Sequence, residues 1–187
     1  MYYLWKHATS NRTAFFSCGM EQFDGWTDIP WNMGHKIEAD LPSIIRYYSC
    51  NFMQPEDYPM TGTTFHFLIS DRITDILKKF EFGGIDYYKS QIIYSNGYIL
   101  NNYHTINILN TLDCINNNLS VYEIRKYGSA EIYKYKKTWL DYSKIPEGIK
   151  LFHIKYNGGV PVIHESIKQA LEEVAVSGIT FEPLSGG

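Results

Sequence analysis

The sequence has little cysteine and no arrangement of cysteine or histidine that is typical of a metal site. Its three cysteines, Cys18, Cys50 and Cys114, are scattered and never stand in CxxC spacing, which favours free thiols in a reducing cytoplasm. None of the six histidines forms a His-x-His pair or a pair four residues apart, the spacings that aim two rings at one ion. The sequence therefore predicts no metal and no cofactor.

Recurrent catalytic motifs are also missing. There is no Gly-x-Ser-x-Gly elbow, no Gly-x-x-x-x-Gly-Lys-Ser/Thr phosphate loop and no Gly-x-Gly-x-x-Gly motif. Gly83-Gly84 and Gly158-Gly159 are interpreted as turns, because neither is followed by the lysine or helix start that phosphate binding requires. The sequence thus favours a non-enzymatic protein. A hydrolase-like enzyme with an unrecognised site, in which Cys18 or Cys50 pairs with a distant histidine, is the alternative.

Long apolar runs are absent as well. No run approaches the roughly 18 apolar residues of a membrane span, and the segment from Met1 to Lys6 is too short and too soon polar for a signal peptide. A hydrophobic content of 44% with 20% charged residues excludes a disordered chain. We expect a cytoplasmic protein with one domain over residues 1–187, or two small lobes that share a core, and no membrane partner.

Charge is low overall but unevenly spread. The net charge is -3, and the isoelectric point of about 6.1 is lower than a nucleic-acid-binding groove usually has. We therefore expect no nucleic acid as partner. Residues 121–156 are nevertheless rich in lysine, and Lys134, Lys136 and Lys137 fall on one predicted strand. They either guard a solvated strand edge or meet an acidic partner surface.

Aromatic residues, in contrast, are abundant, at 16% of the chain with 16 tyrosines. Strands favour such residues, and so do surfaces that bind other proteins. Trp26 and Trp31 lie in a loop punctuated by Gly25, Pro30 and Gly34. These two tryptophans are either plugs for the core or part of an exposed recognition patch.

The most regular sequence pattern in the chain predicts a strand, a helix and a second strand near residues 160–181. A short apolar run from Val160 to Ile163 precedes a helix whose apolar residues Ile167, Ala170, Leu171 and Val174 recur at spacings of three and four. Ser177-Gly178 is expected to stop this helix before a strand over residues 179–181.

The same layout occurs near residues 67–87. Alignment of the two segments places Ile73 with Ile167, Leu77 with Leu171 and Gly84 with Gly178. The chain either contains a duplicated half or repeats a layout that many strand–helix–strand segments share.

Alternation of apolar and polar residues predicts most of the remaining elements as strands. The Asn96-Gly97 pair is a hairpin signal between two of them. The predicted strands are Tyr2 to Lys6, Thr13 to Ser17, Ile44 to Ser49, Ile85 to Tyr94, Tyr98 to Leu109, Val121 to Arg125, Ala130 to Leu140 and Leu151 to Tyr156. The fold class is therefore α+β, strand-rich, with a largely antiparallel sheet and two main helices.

Several of these segments resemble a family of bacterial immunity proteins that are encoded beside polymorphic toxins. The strongest likeness is Ser177 to Pro183, which looks like the closing signature of that family. Ile69 to Arg72, Tyr103 to Leu112 and Leu119 to Tyr122 are similar to it too. The resemblance covers about residues 40 to 184. It marks residues 61–187 as the family-like part and residues 1–60 as a divergent N-terminal part.

The resemblance implies a non-enzymatic protein that binds a cognate toxin in the producing cell and neutralises it. A structural partner in a larger assembly is a further alternative, and the oligomeric state is left open. Aromatic anchors in a partner interface are predicted at Trp26, Trp31, Tyr47, Tyr48 and Tyr58. Lys134, Lys136 and Lys137 are the predicted contacts to an acidic toxin surface.

Overall fold

The computed structural model describes residues 1–8, 19–22, 29, 31–49, 54–62, 66–80, 83–127, 130–155 and 159–187. Within them the helices are α1 (Asp71–Lys78) and α2 (Glu165–Glu173). The strands are β1 (Tyr2–His7), β2 (Gly19–Met20), β3 (Ile45–Ser49), β4 (Phe67–Ser70), β5 (Ile85–Tyr94), β6 (Ile99–Ile108), β7 (Thr111–Leu112), β8 (Val121–Tyr127), β9 (Ala130–Lys137), β10 (Trp139–Leu140), β11 (Leu151–Ile154), β12 (Pro161–His164), β13 (Ile179–Pro183) and β14 (Ser185–Gly186). The predicted strand from Thr13 to Ser17 lies outside the described residues.

Two five-stranded sheets form the body of the protein. The first has the order β2-β3-β5-β6-β4 and the second the order β13-β1-β12-β11-β7. The β3–β5 and β11–β7 pairs are parallel, whereas the other pairs in these sheets are antiparallel. The predicted class, a strand-rich α+β fold with largely antiparallel sheets and two helices, is confirmed.

The two strand–helix–strand segments share one topology. In unit one, β4 and β5 are joined by α1 and both pair antiparallel to β6, which lies between them. In unit two, β12 and β13 are joined by α2 and both pair antiparallel to β1. Each unit is thus a crossover between two parallel strands that are separated by one antiparallel strand. The predicted likeness of the two segments is confirmed at the level of topology.

Apolar spacing explains where the two helices lie. Ile73 and Leu77 of α1 and Ile167 and Leu171 of α2 are buried, because residues three or four apart share a helix face. They join residues from one face of each sheet in a single core cluster. That cluster contains Trp5, Tyr58, Phe67, Ile69, Ile73, Ile76, Leu77, Ile106, Ile108, Leu151, Ile163, Ile167 and Leu171.

The end of α2 differs from the prediction that Ser177-Gly178 stops it. The helix ends at Glu173, and Ala175 adopts the left-handed region with φ of 49°. The N–H of Ala175 donates to the carbonyl of Glu172 at 3.0 Å, and the N–H of Val176 donates to that of Leu171 at 3.3 Å. This pair of bonds is the Schellman motif. An alanine therefore occupies the position that usually takes glycine, and Val174, predicted on the buried face, is 42% exposed.

Gly178 and Gly84 nevertheless both need positive φ, at 80° and 75°. Gly178 leads directly into β13, where a Cβ atom would lie 2.6 Å from the carbonyl oxygen of Tyr58. Gly84 precedes β5, where a Cβ atom would lie 2.2 Å from the side-chain nitrogen of Asn110. Both glycines therefore shape the entry to the last strand of a unit, not the end of its helix.

The loop before β3 covers the other face of the first sheet. Ile29, Trp31 and Ile37 pack against residues of β3, β4, β5 and β6. The N–H of Asn32 donates to Asn107 Oδ1 at 2.7 Å, and Asn32 Oδ1 accepts from the N–H of Ile108 at 2.7 Å. These bonds fix the loop to β6. The other face of the second sheet has its own cluster of Leu4, Cys114, Ile115, Leu140, Phe152, Ile154, Val162 and Leu184.

Candidate interaction surfaces

The β8–β9 hairpin stands apart from the two large sheets. In the described part of the chain, its strands pair with each other and with no other strand. Tyr122 pairs with Tyr135 and Ile124 pairs with Tyr133, so these four side chains share one face by the period-two alternation of a strand. We call this set the aromatic face of the hairpin.

Ring contacts and hydrogen bonds order the hairpin and its base. The Tyr122 ring lies 5.3 Å from the ring of Tyr133 and 5.4 Å from that of Tyr135. Tyr135 packs against the core cluster of the second sheet, and burial raises the pKa of its hydroxyl to about 12. At the base, Ser120 Oγ accepts from the N–H of Trp139 at 2.9 Å. The hairpin is therefore anchored at one end through Tyr135 and Ser120.

The opposite face of the hairpin is charged. Glu123 pairs with Lys134 in the strand register and makes an ion pair with Lys136. Lys134, Lys136 and Lys137 are all exposed, and the Lys137 ammonium lies 5.3 Å from the centre of the Trp139 ring. The structure thus brings the three predicted lysine contacts together on one strand at the surface.

Of the predicted aromatic anchors, Tyr48 lies at the surface. It is 48% exposed on β3, and its hydroxyl donates to Glu21 Oε1 at 3.0 Å. That hydrogen bond raises the pKa of the Tyr48 hydroxyl. Arg46, which is also exposed on β3, makes an ion pair with Glu21 at 3.5 Å. Tyr48 lies on a different strand and sheet from the three lysines.

Three other predicted anchors have side chains in the core. Trp31, Tyr47 and Tyr58 are 2%, 0% and 2% exposed. Trp31 fills the loop that covers the first sheet, and the Tyr47 hydroxyl lies 2.8 Å from Thr105 Oγ1. The Tyr58 ring stacks on His7 with centres 3.9 Å apart. These rings present no surface to a partner because they serve as packing groups. Trp26 lies outside the described residues.

A cleft that the sequence did not reveal lies beside the first strand. It has a volume of about 300 Å³ and is lined mainly by apolar side chains, near the small end of ligand-binding cavities. Its lining includes Trp5, His7, Tyr58, Met60, Phe67 and Pro161. Trp5 Nε1 and His7 Nδ1 are buried without a hydrogen-bond partner among the described residues. No sequence signal predicts this cleft, because its residues come from four separate segments.

Asp57 is the most densely bonded carboxylate in the described structure, but its geometry is that of a structural link. It is 7% exposed and accepts hydrogen bonds from Ser70 Oγ at 2.6 Å and the N–H of Ser177 at 2.9 Å. Arg72 makes an ion pair with it at 2.9 Å. Since Ser70 belongs to unit one and Ser177 follows α2 of unit two, Asp57 ties the two units together.

Thiol and imidazole groups in the described residues form no activated pair. Cys114 is fully buried, and burial raises the pKa of its thiol to about 11, so the thiol is protonated at neutral pH. Cys18 and Cys50 lie outside the described residues. Within the described ranges, no three His, Cys, Asp or Glu side chains come together as a metal site would need.

The remaining observations concern membrane-spanning segments and the similarity of the sequence to known proteins. In the portion that the structure describes, neither helix is long and apolar enough to span a membrane. A search of curated proteins found no match to the sequence. The sequence model of an immunity protein family, Imm11, matches residues 28–185, which is most of the chain. This chain therefore belongs to the immunity protein family Imm11.

Proposed function

We propose that this chain is a non-enzymatic immunity protein that binds a cognate toxin in the bacterial cytoplasm and neutralises it there. The observation that carries the proposal is the family match over residues 28–185. A hairpin with partly buried tyrosines and exposed aliphatic and lysine side chains supports it, since protein-binding surfaces are rich in aromatic residues. The proposed partner is the toxin, without a cofactor, nucleic acid or membrane.

Co-expression with the toxin that is encoded beside its gene tests the proposal. The chain should restore growth to cells that produce the toxin, and it should co-purify with a catalytically inactive form of that toxin. The matched control is Asp57→Ala, whose weakened fold should reduce protection in proportion to the folded protein that remains. If the wild-type chain neither restores growth nor forms a complex with the inactive toxin, the proposed function is contradicted.

A second experiment separates binding from enzymatic protection. If the chain acts by binding, protection should rise in step with the molar ratio of chain to toxin and reach its limit near the stoichiometry of the complex. An enzyme that modifies or degrades the toxin would protect at far lower ratios, because each molecule turns over many times. Protection at such ratios would overturn the non-enzymatic assignment.

A further inference from the structure

The geometry points to the β8–β9 hairpin as the arm that binds the toxin, and to an apolar recess with an acidic rim as the surface that it fits. This inference rests on the proposed function, because it takes the partner to be a toxin protein. It adds which surface of this chain makes the contact and which chemistry the toxin must present. Three features of the hairpin support the inference: its aromatic face, its charge and its fixed base.

Exposed aliphatic residues are concentrated at this hairpin. Leu119, Val121 and Ile124 are 50%, 52% and 50% exposed, within six residues of the chain. Large aliphatic side chains in water carry a free-energy cost that a protein partner removes by burying them. Ile124 also lies on the aromatic face, next to the cross-strand partner Tyr133. Val121 pairs with Lys137 on the opposite face, so Ile124 and Tyr133 form the apolar centre of the hairpin, which an apolar recess on a partner would cover.

The lysines of β9, on the face of the hairpin opposite Ile124, specify an acidic rim around that recess. Residues 121–137 hold five Lys or Arg and two Glu, a net charge of +3, in a chain whose net charge is -3. The remainder of the chain is therefore acidic. An acidic partner surface is attracted by the hairpin and repelled by the rest of the molecule, so the charge pattern orients the encounter.

The same pattern favours a protein over a nucleic acid. A phosphate backbone would contact the lysines of the hairpin, but the acidic remainder of the chain would repel it. Phosphates also make no favourable contact with the exposed aliphatic side chains of Leu119, Val121 and Ile124. An apolar recess with an acidic rim on a protein would contact both the aliphatic side chains and the lysines of the hairpin.

The hairpin is also ordered before it meets a partner. The rings of Tyr122, Tyr133 and Tyr135 contact one another, and Ser120 holds Trp139 at the base through two hydrogen bonds. A two-stranded sheet on its own is only marginally stable, so these contacts supply order that the strands lack. Preordered rings lose little conformational freedom on binding, which raises affinity.

The test compares two exposed isoleucines on two hairpins. Ile124→Glu places a charge in the apolar centre of the β8–β9 hairpin, whereas Ile99→Glu does so on the β5–β6 hairpin, where Ile99 is 43% exposed. Binding of inactive toxin is measured by calorimetry, and folding by the urea midpoint. We expect Ile124→Glu to weaken binding about 30-fold or more, as loss of an interface hot spot does, and Ile99→Glu to leave it within about threefold. Both variants should keep the urea midpoint of the wild type.

A charge reversal provides the second arm. The double variant Lys134→Glu, Lys137→Glu should slow association about tenfold at low salt, and the difference should shrink as salt is added. If both Ile124→Glu and the double variant bind inactive toxin like the wild type, the hairpin is not the arm, although the proposed function stands. If the wild type binds no toxin, the proposed function itself fails. Tight binding of a short DNA duplex that is lost in the double variant would also overturn a protein recess as the partner.

Discussion

Units one and two have the same topology but obtain their central strand in different ways. In unit one, β6 follows β5 directly through the turn at Asn96-Gly97. In unit two, the central strand is β1, which comes from the opposite end of the chain. A local pattern of strand, helix and strand is thus common to both units, whereas the central strand that joins the two outer strands can be local or distant. Unit two is complete only when the first strand of the chain has docked.

Asp57 adds a second long-range dependence. The Ser177 backbone and hydroxyl groups reach it from unit two, across 120 positions of the sequence. From unit one, Ser70 and Arg72 reach it. The guanidinium of Arg72 also donates to the carbonyl of Val174 just after α2. Contacts between the units therefore run through polar groups as well as through the apolar helix faces.

The largest expected effect comes from breaking this link between the units. Asp57→Ala leaves the buried Ser70 hydroxyl and the Ser177 N–H without their acceptor, and these lost bonds together cost about 3–4 kcal/mol. The ion-pair partner Arg72 is 55% exposed, so its charge stays solvated and adds little to the loss. Urea unfolding should show that loss in the free energy of unfolding. The control Asp75→Ala, on the exposed side of α1, should stay within about 0.5 kcal/mol of the wild type. Equal losses in both variants would show that Asp57 is no special link.

The two glycines at the last strand of each unit sharpen the comparison. Gly178→Val should cost about 3 kcal/mol, because it combines left-handed strain with a contact 2.6 Å from the backbone oxygen of Tyr58. Gly84→Val should cost less, about 1–2 kcal/mol, because it meets the movable side chain of Asn110. The free energies of unfolding of the two variants decide the order. A Gly84 variant that is less stable than the Gly178 variant would contradict this account.

Each unit also has a buried histidine near its first strand. His66 directly precedes β4, and His153 on β11 pairs with Pro161 of β12. They are 5% and 3% exposed, and burial lowers the pKa of each imidazole to about 4. At His153 the backbone of Val160 raises the pKa, but this effect is smaller than the lowering by burial.

Stability should therefore fall with acid before the carboxylates titrate. The unfolded histidines, with pKa near 6.5, bind protons between pH 6.5 and 4 that the folded ones do not. Stability is thus complete above pH 6.5 and declines as the pH falls toward 4. Between pH 7 and pH 5 the expected loss is about 2 kcal/mol for each histidine. His153→Phe, which retains a ring against Phe67, should remove its share of the loss. An unchanged slope in that variant would exclude His153 as a source.

The sequence predicted the two helices and the longer strands because their apolar periods of 3.6 and 2 are local. The two-residue strands β2, β7 and β14 are too short to show a period. Asp57 and the docking of β1 were not predictable, since both depend on residues far apart in the chain. Strand periodicity separates Tyr47 from Tyr48, because residues on alternate sides of β3 are buried and exposed in turn. Tyr58 gave no such signal, because no regular strand or helix surrounds it.

The smallest expected effect concerns the ends of the two helices. Ala175 holds φ of 49° in the Schellman motif that ends α2, a conformation that costs an L-residue about 1–2 kcal/mol. Ala175→Gly should relieve this strain, and the greater freedom of glycine in the unfolded chain offsets part of the gain. The net result should be a stabilisation of about 0.5–1 kcal/mol. Lys79, at the end of α1, has φ of -67°, so Lys79→Gly relieves nothing and should destabilise by about 0.5–1 kcal/mol. Opposite shifts in the two urea midpoints would establish that the helices end by different means, and shifts of the same sign would refute it.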